Sequence, residues 1–574
     1  MKTFNEIKRN IKKDYTSFVK EDIAILSNSA TQLLNIGIRG LAFDYNIDLN
    51  IYEADYNQVE YEVFNEGSEL YRKEPKYILL YLSTNKLMEK FYSFPAQERR
   101  EFAFKYLTYI EDLVSTINTK LKNSIILCCN FPEIDDTIFG NQASKTEDSF
   151  LYQCRKLNYL LSEKSVQLNH LLLVDLVGLQ NRFGVGHLFN NNIYITTDIV
   201  LSTDILPYVS EIVLNIIKVR NGIVNKCVIL DLDNTLWGGV IGDDGYENIE
   251  IGTLGIGKAF TEFQKWLKEL KNRGIILAVC SKNNEDVAKE AFLRNTEMVL
   301  KLDDISVFVA NWNNKADNIR SIQSTLNIGY NSMVFLDDNP VERQIVKDNI
   351  PDITVPELPE DPAYYLQYLY SLNLFDTTGV TVEDIKRTES YQKELHISTL
   401  KKSFVNESDF LSSLEMVSLV EPFNKSNLAR VVQLSQRSNQ FNLRTIRYTD
   451  NDVLELAASS DYMNYCFTLN DKFGENGLVC VVSLKLVTES VCFIENWFMS
   501  CRVLKRTMEN FVLNTIVEDL NKTGCLKLIG EYIPTAKNNL VLDHYKNLGF
   551  MEEAGKWTLS LNDYKNRETY INKL

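Results

Sequence analysis

Two aspartates separated by one residue, Asp231 and Asp233, are the side chains whose type and spacing most clearly predict chemistry. They end the apolar run 228–230, which is typical of a strand buried on both faces. Because side chains alternate along a strand, both carboxylates leave it on the same side at its carboxyl end, where open α/β sheets bind ligands. Two unpaired carboxylates are costly there unless a cation or hydrogen bonds offset their charge. The pair therefore predicts a functional site.

Phosphoryl transfer is the chemistry that uses two carboxylates at this spacing. One aspartate can attack phosphorus and form an aspartyl-phosphate, while a second carboxylate two residues on protonates the leaving oxygen and then activates water. A hard cation such as Mg2+ must hold such a site together. We therefore expect a magnesium-dependent phosphotransferase centre at the end of this strand.

The string from Asp231 to Thr235 resembles the first motif of the haloacid dehalogenase superfamily of phosphotransferases. The resemblance implies that Asp231 is the nucleophile, that Asp233 is the acid/base, and that Thr235 steadies the loop that binds the phosphate. It also implies that both aspartates serve as metal ligands in a Rossmann-like fold. The Gly-rich loop 238–245 is too short for a large lid domain, so a minimal cap is expected.

The second motif of the same superfamily is a strand that ends in Ser or Thr. The predicted strand 275–280 ends in Ser281, and Lys282 and Asn283 follow. By resemblance, the hydroxyl and backbone N–H of Ser281 bind the transferred phosphoryl group. We include Lys282 and Asn283 as further phosphate-binding candidates.

The last two motifs should supply a cation for the phosphate oxygens and acids for the metal. Lys315, just before a predicted helix, is the candidate cation. The predicted strand 333–336 ends in Asp337 and Asp338, which are candidate metal ligands. Each segment alone is a weak signal, because a lone lysine is usually solvated and Asp-Asp-Asn-Pro is a common turn. Four motifs in the expected order at three strand ends together predict one site.

Residues 226–239, 278–283 and 335–343 look like the FkbH-like branch of that superfamily. Proteins that resemble it take a glyceryl unit from 1,3-bisphosphoglycerate, remove the phosphate and load the acyl group onto an acyl carrier protein. The resemblance covers most of the chain. It implies a phosphorylated small-molecule substrate and a carrier protein with a phosphopantetheine arm as partner.

Cys280 precedes Ser281 at the same strand end, so it is a candidate thiol for receiving the acyl group. The alternative is a buried core cysteine, since alternation points its side chain away from that of Ser281. Cys501 is a second candidate acceptor.

Composition excludes some partners and compartments. The chain has 574 residues and a net charge of -16, which argues against nucleic acid or an anionic membrane as the general partner. Ten cysteines without a C-x-x-C pair and four histidines without zinc-like spacing are typical of reduced thiols in a cytoplasm. No apolar run is long enough for a signal peptide or a bilayer span. We expect a cytoplasmic protein.

The N-terminal region has the strand–helix alternation of a parallel α/β domain and resembles SGNH-type, lipase-like hydrolases. The resemblance places Ser29 at the nucleophile position and Asn85 at an oxyanion-hole position. However, Asn28 replaces the family's Asp, and no histidine follows an Asp at the spacing of the family's base. A serine without a base is a poor nucleophile, so we expect this domain to be non-catalytic.

The C-terminal region resembles Gcn5-related N-acetyltransferases in a strand–turn–helix that runs from Val491 through residues 499–506. Backbone N–H groups at that helix N-terminus would bind a phosphate. The chain lacks the glycines of the family's phosphate loop, and Arg502, Lys505 and Arg506 stand there instead. We therefore expect these three residues to bind the phosphopantetheine arm of a carrier protein, in preference to free acetyl coenzyme A.

Together these features predict an α/β enzyme of three domains: residues 1–221, SGNH-like; residues 222–375, the haloacid dehalogenase-like domain with a minimal cap; and residues 376–574, acetyltransferase-like. Its predicted function is to dephosphorylate an acyl phosphate and load the acyl group onto a carrier. Two alternatives remain open at this point. One is a plain magnesium-dependent phosphatase, and the other is a non-catalytic docking protein. The sequence leaves the acyl group, the carrier and the oligomeric state undetermined.

Overall fold

The computed structural model describes residues 2–377, 393, 397, 400–401, 404–500, 503–504, 506–535, 537–553 and 555–574. The chain forms two compact units, Met1–Ile217 and Lys218–Leu574. Both combine helices with β-sheets, so the predicted α/β fold class is confirmed. The division into three domains stays a prediction, and its boundary at residues 375 and 376 falls inside the second unit.

The first unit contains one five-stranded sheet in which every pair is parallel, with the order β2-β1-β3-β4-β5. The strands are β1 Val19–Ser27, β2 Ile47–Glu53, β3 Tyr77–Tyr81, β4 Ile125–Cys129 and β5 Leu171–Val174. All residues of β3 and β4 are buried, because helices cover both faces of the sheet. The α-helices are Phe4–Asn10, Gln32–Ala42, Val59–Phe64, Glu69–Lys73, Thr84–Ser93, Phe102–Lys120, Phe150–Gln167, Leu176–Phe183, Val185–Leu188, Asn191–Thr197 and Leu206–Arg220.

The second unit begins with a four-stranded parallel sheet in the order β8-β7-β6-β9. Its strands are β6 Cys227–Leu230, β7 Ile276–Ser281, β8 Ile305–Ala310 and β9 Met333–Leu336. The α-helices are Ile241–Asp244, Gly257–Asn272, Glu285–Arg294, Lys315–Leu326, Pro340–Asn349 and Tyr365–Leu372. The four-residue helix Ile241–Asp244 is the only α-helix between β6 and Gly257, as the minimal cap requires.

The rest of the second unit is built on a nine-stranded mixed sheet, with the order β16-β17-β15-β14-β13-β12-β10-β18 and with β11 paired to β12. The strands are β10 Met416–Ser418, β11 Val420–Glu421, β12 Tyr462–Asp471, β13 Gly474–Thr488, β14 Val491–Met499, β15 Lys527–Gly530, β16 Met551–Glu553, β17 Lys556–Ser560 and β18 Ile571–Lys573. The described α-helices are Glu407–Ser413, Leu428–Arg437, Asp450–Ala458, Met508–Thr523 and His544–Asn547. Within the described part of the chain, no helix has the length and apolar character needed to cross a bilayer.

Candidate phosphotransferase site

Three strands of the four-stranded sheet deliver the predicted site residues to one edge. Asp231 follows β6 directly, Ser281 ends β7, and Asp337 follows β9 directly. β6 is central and parallel to both neighbours, with Leu230 opposite Val279 of β7 and Leu336 of β9. Because parallel strands end at the same side of a sheet, the polar residues that follow them meet there.

Three carboxylates converge at this edge. Each of Asp231, Asp337 and Asp338 offers an oxygen, and the three oxygens lie within 4.8 Å of one another. Asp231 is 7% exposed, and its Oδ1 is buried with no hydrogen-bond partner. Such an atom is costly unless a ligand or cation satisfies it. The arrangement therefore fits a hard divalent cation that binds oxygen ligands.

Lys315 is the main positive charge inside this cluster. It is 2% exposed, and its Nζ lies 2.6 Å from Asp231 Oδ2 and 2.5 Å from Asp337 Oδ2. Burial alone would lower the pKa of Lys315, but the two carboxylates outweigh it and raise the pKa. Burial, followed by the charge of Asp231, raises the pKa of Asp337 to about 6. The lysine thus partly offsets the repulsion among the carboxylates.

Thr235 positions one of the candidate metal ligands. Its hydroxyl is fully buried, donates to Asp338 Oδ1 at 3.2 Å and accepts from the backbone N–H of Asp338 at 3.1 Å. This pair of contacts ties the loop after β6 to the loop after β9. In this structure Thr235 therefore fixes Asp338, and a loop-steadying role fits its contacts.

Asp233 occupies a separate position from the three clustered carboxylates. Its Oδ1 accepts from Trp237 Nε1 at 3.0 Å and from the backbone N–H of Ile241 at 3.1 Å, and its Oδ2 accepts from Asn283 Nδ2 at 2.9 Å. The cluster of three carboxylates does not include Asp233, and the predicted role of Asp233 as a metal ligand stays a prediction. These three donors hold both of its oxygens in the loop.

The residues after β7 fall into two groups. Ser281 is 1% exposed, and its hydroxyl accepts from Asn283 Nδ2 at 3.3 Å, so Asn283 links it to Asp233. Lys282 lies 2.6 Å from Glu342 and its side chain is 38% exposed. Ser281 and Asn283 are thus part of the buried network, whereas Lys282 lies at its rim in an ion pair.

Cys280 is placed differently from the prediction of an acyl-accepting thiol. It is fully buried, packs with Ile229, Ala278 and Phe335, and contacts the backbone oxygen of Lys315 at 3.7 Å. Burial raises the pKa of Cys280, which keeps the thiol protonated and poorly nucleophilic. The alternation of β7 points the thiol away from the face where Ser281 lies. The contacts therefore fit the alternative prediction of a core cysteine.

We expect Cys280→Ala to leave phosphate release within about twofold of wild type, because the thiol lies outside the buried network. The unfolding free energy should fall by about 1 kcal/mol through the small cavity left behind. Cys227→Ala, at a fully buried position in the same apolar cluster, is the matched control. Steady-state phosphate release and denaturant unfolding provide the measurements. A loss of turnover in Cys280→Ala but not in Cys227→Ala would contradict this assignment.

Two further residues complete the site, and the sequence analysis assigns neither of them a role. Arg343 Nη1 donates to the backbone oxygens of Asp337 and Asp338 at 2.8 and 2.7 Å, and its Nε pairs with Glu357 at 3.0 Å. Trp237 is fully buried and holds Asp233. An arginine six residues after Asp337 could have been noticed, but its partners depend on tertiary structure.

The predicted carrier-binding residues are only partly described. Arg502, Lys505 and the alternative acceptor Cys501 lie outside the described residues. Arg506 is 5% exposed, and its guanidinium lies 2.8 Å from Asp471 Oδ2. Arg506 is therefore held in a buried ion pair in this structure, and its predicted role in carrier binding stays a prediction. The ion pair is favourable because Asp471 would be an uncompensated buried charge without the guanidinium of Arg506.

Ser29 lies in the first unit at the carboxyl end of β1. It is 2% exposed, and its hydroxyl lies 3.3 Å from Ser27 Oγ, which also accepts from its backbone N–H at 3.0 Å. Among the described residues, no histidine appears among the hydrogen-bond partners of Ser29. These contacts give the serine no base to take its proton.

We therefore expect a fluorophosphonate probe to leave Ser29 unlabelled, because such probes react with activated serines. The measurement is intact-mass analysis of the full chain after prolonged exposure, with Ser29→Ala treated in parallel. Stoichiometric labelling of wild type that disappears in Ser29→Ala would overturn the expectation.

Comparisons with known proteins found one matching family model and several similar solved structures. Residues 22–218 match the family model for the FkbH N-terminal domain. A solved structure titled as the N-terminal part of the protein BF1531 from Bacteroides fragilis, containing a phosphatase domain complexed with Mg, is 50% identical. The match covers 66% of this chain and all of that one, with a TM-score of 0.63. The ribosomal-protein-S18-alanine N-acetyltransferase from Escherichia coli is 14% identical over 26% of this chain and 99% of that one, with a TM-score of 0.21. No curated protein matches the chain.

Proposed function

Because this chain belongs to the FkbH-like family, we propose that it is a magnesium-dependent phosphatase whose phosphate release is coupled to acyl transfer. The observation that carries the phosphatase assignment is the convergence of the carboxylates of Asp231, Asp337 and Asp338. Within this cluster, Asp231 Oδ1 is buried and has no hydrogen-bond partner. The Mg-bound phosphatase domain of the Bacteroides fragilis relative, at 50% identity, supports magnesium as the metal. A phosphorylated small molecule is the substrate that such a site takes.

Asp231, Asp337 and Asp338 would hold the magnesium. When bound, Mg2+ supplies positive charge that favours negatively charged phosphate oxygens at this edge of the sheet. Removing it leaves three carboxylates with Lys315 as their nearest counter-charge. The donor set consists only of oxygens, which is the chemistry that magnesium prefers over softer metals.

The protein residues divide the phosphoryl-transfer steps between them. Asp231 attacks the phosphorus and forms an aspartyl-phosphate as the bond to the leaving oxygen breaks. Asp233, oriented by Trp237 and Asn283, gives its proton to that oxygen and later takes a proton from water. Ser281 lies beside this pair and can donate to a phosphoryl oxygen.

The finer part of the proposal concerns the substrate and the acceptor. By family resemblance, the substrate is an acyl phosphate of the 1,3-bisphosphoglycerate type, and the acceptor is an acyl carrier protein. In that reaction the carrier thiol attacks the acyl carbonyl carbon and expels inorganic phosphate, which forms the thioester. Asp231 then takes the remaining phosphoryl group from the phosphate ester, and Asp233 protonates the alkoxide that leaves. The buried position of Cys280 favours a transfer that does not use that thiol as an intermediate.

We expect incubation of the full chain with 1,3-bisphosphoglycerate, Mg2+ and candidate carrier proteins to place a glyceryl group on a carrier. Intact-mass analysis of the enzyme and of each carrier measures this directly. The control is Asp231→Asn, which should give no dephosphorylated glyceryl adduct. Phosphate release without any adduct on either protein would contradict the acyl-transfer part and leave the phosphatase assignment intact.

A plain magnesium-dependent phosphatase is the second candidate function. The observation that favours it is the absence of an exposed thiol in the site: all nine free cysteines of the described chain are buried. A non-catalytic docking protein is less well supported, because the carboxylate cluster, Lys315 and Ser281 are all assembled.

A further inference from the structure

A cavity of about 470 Å³ lies within the second unit, at the ends of β6 and β9 that are opposite the carboxylate cluster. It is bounded by residues 327–332 before β9, by helix Leu428–Arg437 and by the end of β14. We propose that this cavity binds a small phosphate ester, at a site separate from the phosphotransferase centre. Four basic side chains and one acidic side chain line it: Lys226, Arg430, Arg437, Lys537 and Asp352.

The two sites lie at opposite ends of the same strands. Lys226 directly precedes β6 and Asp231 directly follows it, while Ser332 directly precedes β9 and Asp337 directly follows it. At about 3.3 Å per residue, the five residue-to-residue steps from Lys226 to Asp231 separate the two ends by about 16 Å. A small phosphate ester in the cavity therefore cannot touch the carboxylate cluster.

The charge of the cavity wall favours an anion. Lys226 Nζ donates to the backbone oxygen of Arg437 at 3.2 Å, which brings these two basic residues together on the wall. Desolvation, followed by repulsion from Arg447, lowers the pKa of Lys537, and the charge of Asp352 opposes this with a smaller effect. A bound anion would relieve that repulsion. In a chain of net charge -16, this concentration of positive charge is a local exception.

Arg447 adds positive charge behind the wall. Its guanidinium donates to the backbone oxygens of Ser435 and Ser438 and to Asn439 Oδ1, all of which are neutral acceptors. Burial lowers the pKa of Arg447 to about 10. Neutral dipoles stabilise a buried charge less than a counter-ion does, so the cavity retains a positive field.

The size and polarity of the cavity identify the ligand class. Its volume falls in the usual range for small-molecule sites, about 300–1,000 Å³. A phosphate monoester carries a charge of about -1.5 to -2 at neutral pH. It therefore matches a site with several cations better than a ligand with a single carboxylate would. Gln440 also lines the cavity, and its Oε1 is buried without a hydrogen-bond partner. That acceptor suits a hydroxyl on the alcohol portion of the ester.

Isothermal titration of the full chain with glycerol 3-phosphate in EDTA tests the proposal, since EDTA removes the metal from the phosphotransferase centre. We expect saturable binding that weakens as salt is raised. Lys537→Gln should weaken it at least tenfold, and Lys537→Arg, which keeps the charge, should restore most of the affinity. Lys537 is exposed, so these variants should fold normally.

Two controls separate this cavity from other sources of binding. Lys546→Gln removes an exposed lysine of helix His544–Asn547 that does not line the cavity, so this variant should bind glycerol 3-phosphate like wild type. Ser281→Ala alters the phosphotransferase centre and should also keep the EDTA-insensitive binding. Undiminished affinity in Lys537→Gln, an equal loss in Lys546→Gln, or loss in Ser281→Ala would each overturn the proposal. None of these results would bear on the phosphatase assignment.

Discussion

Replacing Asp231 with asparagine should reduce phosphate release by more than about a thousandfold, because the amide has the same shape but cannot act as the nucleophile. The chain should stay folded, since Asn can still accept a hydrogen bond from Lys315 in place of the ion pair seen at 2.6 Å. The measurement is phosphate release under saturating substrate and Mg2+, with circular dichroism as the check on folding.

Asp286→Asn provides the matched control for this substitution. Asp286 is an exposed aspartate in the first turn of helix Glu285–Arg294, in the same part of the chain. Its loss should change phosphate release by less than about twofold. Wild-type turnover in Asp231→Asn would show that the carboxylate cluster has been assigned the wrong chemistry.

Lys315→Met should have the largest effect on stability. In the absence of metal, it removes the side-chain cation that, within the described part of the chain, contacts both Asp231 and Asp337. The repulsion that remains, with both carboxylates buried, should lower the unfolding free energy by about 3–5 kcal/mol. Phosphate release should also fall, because the side chain that orients both carboxylates is lost.

Added Mg2+ should restore part of the lost stability of Lys315→Met, since the cation can take over the charge compensation. Urea unfolding with EDTA and with excess Mg2+ gives the comparison. Lys258→Met replaces an exposed lysine of helix Gly257–Asn272 and should show neither the loss of stability nor its recovery with Mg2+. If Lys315→Met were as stable as wild type in EDTA, the lysine would not be compensating the cluster.

The sequence predicts those site residues that stand at the carboxyl end of a single buried strand. β6, β7 and β9 are buried, continuous apolar runs that end in polar residues, so their carboxyl ends could be recognised without a structure. Strand β2, Ile47–Glu53, lies at the edge of its sheet and alternates apolar with polar residues, so it has no continuous apolar run of this kind.

What the sequence does not predict is the orientation of side chains that depend on distant partners. Asp233 faces Trp237, Ile241 and Asn283, and Asn283 lies 50 residues away along the chain. The burial of Arg506 depends on Asp471, 35 residues earlier. A motif gives the type and order of residues, whereas these contacts arise only when loops from different strands pack together.

Trapping the covalent intermediate tests the central claim most directly. The full chain is mixed with substrate and Mg2+, quenched in acid, digested and analysed by mass spectrometry. We predict one phosphoryl group on Asp231 in wild type, none on that peptide in Asp231→Asn, and accumulation in Asp233→Asn, because the acid/base that activates water for its hydrolysis is gone. Phosphate release with no phosphoryl group on Asp231, or with one on a different residue, would contradict the account.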